Sequence, residues 1–315
     1  MRDYMSKRMR KHFRILFTVA RKLRERIYII VGKRNPKWLV RKWYRQLFHT
    51  DINLTAPSNI DEKINWMKFH ADMSLWTRCT DKYEVRKYVE EKGLGFTLNE
   101  MYGVYASPSE IDYDKLPSEF VIKTTNGGGG NNVMIVKDKS SLNKKNVSRI
   151  LEKWLRSEDF YIQYEPHYIN IPPRIIVEKY LHPKNGECAL VDYKLNCFNG
   201  NVQNVLLCTE RGKGEHPCLS VYDLDWNVID KYILPDFKAD KLYDRPNSLA
   251  QMIEYSKILS QGIPYVRVDW YEVDGKPIFG ELTFTPTGGF HLRHGDDYRN
   301  DMGKLIDLRL VQTNI

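Results

Sequence analysis

At 315 residues the chain can bury a substantial core, as two or three domains or one elaborated α/β unit. Its net charge of +9 is not spread out: residues 1–34 hold 12 Lys/Arg against Asp3 and Glu25, a local charge of +10 that leaves about −1 for residues 35–315. That excludes a dispersed nucleic-acid surface, and the five cysteines, odd in number and without a CxxC pair, fit reduced cytosolic thiols better than a disulfide framework or a zinc site.

The basic segment carries Phe13, Leu16, Phe17, Ala20, Leu23, Ile27 and Ile30 at helical spacing. Arg21, Lys22, Arg24 and Arg26 interrupt it, so it should not cross a bilayer. Two readings stand: an amphipathic helix on an anionic membrane surface, or a helix docked on its own domain. It has no secretory-signal pattern.

Pro36 to Phe48 predicts a helix with proline in its first turn, and Asn59 to Ala71 another. A third starts at Lys82, with Asp81 and Glu84 as a capping-box variant and Gly93 as its stop. Residues 35–117 thus read as a helical region. From Phe120 the pattern changes: FVIKTT and VMIVKD are strand-like and flank TNGGGGNN. A helix follows from about Ser141 to Leu155, then RIIVEKYL as a strand. ALVDYKLNCF and NVQNVLLCTE surround Asn199-Gly200, a hairpin signal. A further hairpin is expected near Tyr222 to Ile233, and a helix over about Ser248 to Ser260. The body is α+β with mainly antiparallel strands.

Gly127, Gly128, Gly129 and Gly130 follow a strand bearing Lys123. Four glycines lose much backbone entropy on folding, and such a run is useful where backbone N–H groups must approach phosphate closely; a plain loop is the other reading. No Gly-Lys-Ser/Thr ends it, which excludes a P-loop. The lysine precedes the loop, the reverse of the protein-kinase order. His182, His216, His291 and His294 show no HExxH-type pairing.

The last strong signal is YVRVDWYEVDGKPIFGELTFTP, Tyr265 to Pro286. Val266, Val268 and Trp270, then Ile278, Leu282 and Phe284, occupy even positions, as in two strands with one face on a core. A three-residue loop (Val273, Asp274, Gly275) would bring Arg267, Asp269 and Glu281 to the other face together; a two-residue loop would separate the carboxylates. Two carboxylates beside an arginine suit a divalent cation carrying phosphate oxygens, while an exposed hairpin with solvated charges remains the bland alternative.

Lys123, the glycine loop, Glu178-Lys179-Tyr180-Leu181, Lys194, Arg267-Val-Asp269 and Glu281-Leu-Thr283 fall in the order of an ATP-grasp fold. PSNIDEKINWMKFHADMSLWTRCTDKYEVRKYVEEKGLG, IDYDKLPSEFVIKTTNGGGGNNVMIVKDK, DYKLNCFNGNVQ and GELTFTPTGGF resemble the TupA-like ATP-grasp family, linked to teichuronopeptide and other surface-polysaccharide pathways. The likeness covers about residues 50–295. Two departures are Thr283 where the usual Glu-x-Asn motif of the ATP-grasp fold ends, and the absence of the histidine that family members often carry in the glycine loop.

The resemblance implies two α+β lobes clamping ATP, a small one over 118–182 and a large one over 183–315, behind a helical lead-in (1–34 and 35–117). It implies ATP and Mg²⁺ as cofactors. Lys123 and Lys179 would meet the α/β-phosphates, Gly127 to Gly130 would close as a lid, and Glu178, Lys179, Tyr180 and Leu181 would form the adenine hinge. Glu187 would bind ribose, Asp269, Glu281 and Thr283 the metal, and Arg293 an anionic substrate. Arg267 and Lys194 would serve the transferring phosphoryl group and the acceptor carboxylate. The implied reaction joins a carboxylate to an amine through an acyl phosphate, both on or near a bacterial surface glycan, in the cytoplasm or at the inner membrane face. A phosphotransferase, a glycosyltransferase-pathway protein and a non-catalytic membrane scaffold are the alternatives.

Overall fold

A computed structural model of the chain describes residues 7–130, 132–183, 189–209 and 218–313, with side chains from residue 19 onward. The chain separates into two compact units: Met1–Ile52 with Glu158–Pro166, and Asn53–Ser157 with His167–Ile315.

The first unit holds α1 (Lys7–Arg34) and α2 (Pro36–Phe48). Asn35 separates them, its side chain accepting from the Trp38 N–H, and Pro36 opens α2. A glycine is needed at 32: a Cβ there would lie 2.2 Å from the Tyr161 carbonyl oxygen. Lys33 pairs with Glu158 at 2.5 Å, and Trp43 Nε1 donates to the Ile162 carbonyl at 2.7 Å.

In the second unit, α3 (Ile60–His70), α4 (Ser74–Thr80) and α5 (Glu84–Glu91) come first. Next are β1 (Met101–Tyr105), β2 (Phe120–Thr124), β3 (Val133–Val136), α6 (Lys144–Leu155) and β4 (Ile175–Glu178). Then follow β5 (Asp192–Phe198), β6 (Asn201–Thr209), β7 (Cys218–Tyr222), α7 (Leu249–Ser260), β8 (Val266–Val273), β9 (Lys276–Thr283) and α8 (Asp296–Leu305). One sheet has the order β1-β4-β2-β3 and the other β7-β6-β5-β8-β9, with every paired neighbour antiparallel.

Several expectations need correction. The region read as helical over 35–117 contains β1, an edge strand whose MYGVY has no clear alternation and whose pairing is bulged between Met101 and Gly103. Asp81 does accept from the Tyr83 and Glu84 N–H groups, but the reciprocal half of a capping box is missing because Glu84 turns to Lys87 and Arg174. The hairpin expected near Tyr222 to Ile233 has one strand only; the chain returns as a single bridge, Tyr222 to Val228. α3, by contrast, carries a complete capping box between Asn59 and Glu62.

Alternation explains the layers. In the first sheet Phe120, Ile122, Val136, Ile175 and Val177 pack on Val147 and Leu151 of α6. The pairing leaves Val121, Lys123, Ile135, Ile176 and Glu178 on the opposite face. In the second sheet Val266, Val268 and Trp270 are fully buried, and Leu249, Met252, Ser256 and Leu259 form one buried face of α7. Trp270 Nε1 donates to Ser256 Oγ at 2.8 Å, so the indole is satisfied where it is buried.

The β8–β9 hairpin brings the two carboxylates to one face, as expected, by another route. Its loop has two residues, since Val273 pairs with Lys276, and Asp274 and Gly275 adopt φ of 50° and 72°. Alone, that turn would separate Asp269 from Glu281. A β-bulge at Gly280 inserts one residue, and beyond it Asp269 pairs with Glu281 and Arg267 with Thr283. The bulge also corrects the core assignment: before it Pro277 and Phe279 are buried and Ile278 is not, while after it Leu282 is buried.

Fully buried Asp61 on α3 accepts from the His291 N–H at 2.9 Å, pairs with its Nδ1 at 2.6 Å, and accepts from Arg299 Nε at 2.6 Å. Burial alone would raise this carboxyl, but His291 and then Arg299 outweigh it and hold it below the ordinary value. Asp61→Ala should therefore cost about 3–5 kcal/mol in urea unfolding, by leaving Arg299 short of a buried partner. Because the folded carboxyl is depressed, its contribution is present at neutral pH and fades as pH falls through the folded value. Asp61→Asn should remove that acid limb, and an unchanged limb would refute the assignment. Gly280→Ala should lower stability by about 1–3 kcal/mol, because its Cβ would meet the Asp269 carbonyl oxygen at 2.9 Å; an unshifted urea midpoint would show that the bulge tolerates a side chain.

Candidate active site

Five charged side chains converge on the face of the second sheet opposite Val266, Val268 and Trp270. The pairings Lys194 with Asp269 and Asn196 with Arg267 bring β5 and β8 together, and the bulge adds Glu281 and Thr283 from β9. Asp269 is 2 % exposed. Arg267 grips it with both arms, Nε to Oδ1 at 2.7 Å and Nη2 to Oδ2 at 2.6 Å, and Lys194 also donates to Oδ2. Lys194 reaches Asp192 at 2.8 Å as well. Arg267 extends to Thr283 Oγ1 at 3.2 Å and Glu281 at 3.6 Å, and Thr283 donates to Glu281 at 3.0 Å.

Burial would raise the Asp269 carboxyl, but Arg267 and then Lys194 hold it below the ordinary carboxylate range. Arg267 is pushed upward: burial opposes its charge, and Asp269 outweighs burial. Both groups stay ionised across the physiological range. The Glu281 side chain is 52 % exposed.

On the first sheet, Lys123 donates to Glu178 at 2.6 Å, and Arg86 lies 3.7 Å from the same carboxylate. Lys82 links this pair to the hairpin. It follows Asp81 between α4 and α5, where Arg174 reaches both Asp81 (3.4 Å) and Glu84 (3.1 Å), and it donates to the Gly127 carbonyl. Burial pushes the Lys82 ammonium below its ordinary range; Glu281 opposes that shift, Lys123 adds to it, and Asp81 and Glu178 oppose it more weakly. The two walls therefore share one electrostatic neighbourhood, with Lys82 between them.

The glycine loop is held at its root. Asn126 donates to the Trp154 and Leu155 carbonyls at 3.2 and 3.3 Å, capping the end of α6. Asn132 donates to Thr124 Oγ1 at 3.1 Å, and a Cβ on Gly127 would strike Asn132 Cβ at 2.4 Å. Gly127 is buried, whereas Gly128, Gly129 and Gly130 are exposed.

The other expected residues lie outside these contacts. Lys179 is exposed, 3.7 Å from Glu100; its N–H donates to the Glu100 carbonyl and its own carbonyl accepts from Asn99. Tyr180 and Leu181 are half-buried, with Tyr180 against the His182 ring. Arg293 lies over the Phe237 ring, 5.7 Å from its centroid. Glu187 is outside the described residues. Sequence reasoning missed Lys82, Arg86 and Asp192. Asp192 was accessible, two residues before Lys194 and so on the same strand face. Lys82 and Arg86 give no periodic signal.

The donors are all oxygens: two carboxylates and a hydroxyl, the type a hard cation such as Mg²⁺ prefers. Glu281 is accessible, and a carboxylate offers about four lone-pair sites, so Asp269 Oδ1 retains capacity beyond its bond to Arg267. Among the described residues, no group of three or more His, Cys, Asp and Glu gathers as metal ligands. These residues fit a magnesium ion that takes its remaining ligands from phosphate and water.

The chain is similar to D-alanine–D-alanine ligase from Bacillus anthracis at 17 % identity and a TM-score of 0.45, over 80 % of this chain and 72 % of that one. It is similar to D-cycloserine synthetase DcsG at 14 % identity and 0.43, over 89 % and 81 %. The ATP-grasp ligase PsnB, solved with minimal precursor, Mg and ADP, gives 11 % identity and 0.35, over 65 % of this chain and half (50 %) of that one. No curated protein matches. The family model for TupA-like ATPgrasp matches residues 62–307. The match takes in both sheets and the charged wall between Lys194 and Thr283, and the chain belongs to the TupA-like ATP-grasp family.

Proposed function

We propose that this protein is an ATP-dependent carboxylate–amine ligase, acting through an acyl phosphate on a carboxylate of a bacterial surface glycan, such as a uronic acid. The observation that carries the reading is Lys82, which touches the glycine loop and lies within electrostatic range of Lys123, Glu178 and Glu281. A cation shared by a phosphate-binding loop and an acidic wall is what a bound triphosphate requires.

When bound, magnesium ATP supplies the transferable phosphoryl group and a divalent charge to spread over it. Asp269, Glu281 and Thr283 would hold the metal. Lys82 and Lys123 neutralise phosphate oxygens, and the exposed tip Gly128 to Gly130 offers backbone N–H groups. Adenine is assigned to the hinge at Tyr180 and Leu181, with Ile135 exposed on the same sheet face as Lys123, while Glu178 orients Lys123. Lys179 is the weaker phosphate candidate, because its backbone and ammonium are engaged at Glu100. Glu187 is assigned to ribose and Arg293 to an anionic acceptor.

The acceptor carboxylate oxygen attacks the γ-phosphorus, the bond to the β-phosphate oxygen breaks, and ADP leaves. The amine nitrogen then attacks the acyl carbon; the C–O bond to phosphate breaks, inorganic phosphate departs, and the nitrogen loses a proton. Arg267 and Lys194 stabilise the oxygens on which charge develops. Asp269 keeps both cations in place, so no reorganisation is needed when that charge appears.

ADP release measured with uronic acids and other carboxylates crossed with amino-acid amines tests the reading, products being identified by mass spectrometry. Amine-dependent release with an amide product is expected. Equal release without amine, with a stable phosphorylated product, would make the protein a phosphotransferase instead. Lys82→Met should lower kcat/KM about 10²–10³-fold, and Lys82→Arg much less. KM for ATP should rise at alkaline pH below the ordinary lysine range, since Lys82 loses its proton early, and Lys82→Arg should abolish that limb; an identical limb would remove Lys82 from phosphate binding. Glu281→Gln should cost about tenfold or more in kcat, partly recovered by raised magnesium, with an unchanged urea midpoint because its side chain is half exposed.

A further inference from the structure

The long basic helix α1 uses two opposite faces. Towards α2 and Glu158–Pro166 it presents Tyr28, Ile29 and Gly32: Tyr28 meets the Trp43 ring at 5.0 Å, and Gly32 has no room for a Cβ against Tyr161. On the opposite side Val19, Leu23, Ile27 and Ile30 recur at spacings of four, four and three, one continuous stripe of a 3.6-residue helix. They are 59 %, 59 %, 49 % and 50 % exposed. Exposed Lys22, Arg24, Arg26 and Arg34 flank that stripe.

From this arrangement we infer that the outward face of α1 is a docking surface for an anionic lipid bilayer, on which the helix lies flat. The proposal stands apart from the ligase reading and does not rest on it. Four branched apolar side chains fit the acyl boundary, while the long Lys and Arg stems carry their charges up to lipid phosphates. The stripe from Val19 to Ile30 is roughly 17 Å long at 1.5 Å per residue, enough for interfacial contact. No described helix is long and apolar enough to cross a membrane. A second copy of the chain is a poor occupant, because each would bring the +10 of residues 1–34 to the contact. An anionic surface turns that charge into attraction.

The test is co-sedimentation of the full chain with phosphatidylcholine vesicles containing or lacking roughly one third phosphatidylglycerol, at low and high salt. Binding is expected on the anionic vesicles only, weakened by salt. It should fall at least about tenfold in a variant combining Val19→Ser, Leu23→Ser, Ile27→Ser and Ile30→Ser whose urea midpoint matches the parent. Arg24→Gln with Arg26→Gln should weaken it too. If the fourfold variant unfolds, single Leu23→Glu decides, with the same expected direction. Absence of vesicle binding, equal binding to neutral vesicles, or undiminished binding by the apolar-stripe variants would overturn the proposal. A dimer dissolved by those variants, without vesicle binding, would assign the face to a second copy.

Discussion

A carboxylate that is only 2 % exposed must be neutralised where it stands, and the neutralisation of Asp269 organises the wall around it. Arg267 spends its planar fork on both oxygens, and Lys194 arrives from the neighbouring strand. Those contacts require β5, β8 and β9 in one register. That register comes from a local device, the extra residue at Gly280, which places Glu281 beside Asp269 after a turn that would have put them on opposite faces. The apolar side of the same hairpin, with Trp270 on Ser256 of α7, supplies the rigid backing.

A comparable economy holds Lys82. It sits between two short helices with no helical turn of its own to fix it, and the Asp81–Arg174–Glu84 contacts do that instead. Arg174 also contributes its carbonyl to the Thr125 N–H, so the residue ahead of β4 ties the α4–α5 junction to the start of the glycine loop. Ion pairs here define a position more than they add stability, since a buried pair returns little net free energy beyond its desolvation cost.

The antiparallel α+β plan was legible from alternation and turns: Asn199-Gly200, the strands flanking the glycines, and the α7 periodicity are where they were read. Arg267, Asp269 and Glu281 were legible as a group because strand parity puts them on one face, while Lys194 and Thr283 entered through the family resemblance. What was not legible depended on tertiary contact. The two-residue turn plus bulge brings both carboxylates to one face just as the three-residue loop would, so pattern alone could not separate them; Phe279 replacing Ile278 in the core distinguishes the routes. β1 escaped notice because an edge strand needs no alternation. Lys82 and Arg86 are defined by what other segments bring to them, and no spacing within their own segment marks either one.

The anchoring of the oligoglycine segment has a mechanical consequence. With Asn126 tied to the end of α6, Asn132 to Thr124 and the Gly127 carbonyl to Lys82, the root of the segment is fixed on both sides, and Gly128, Gly129 and Gly130 are its exposed part. A change of shape there is the flick of a short tether and leaves the two sheets where they stand.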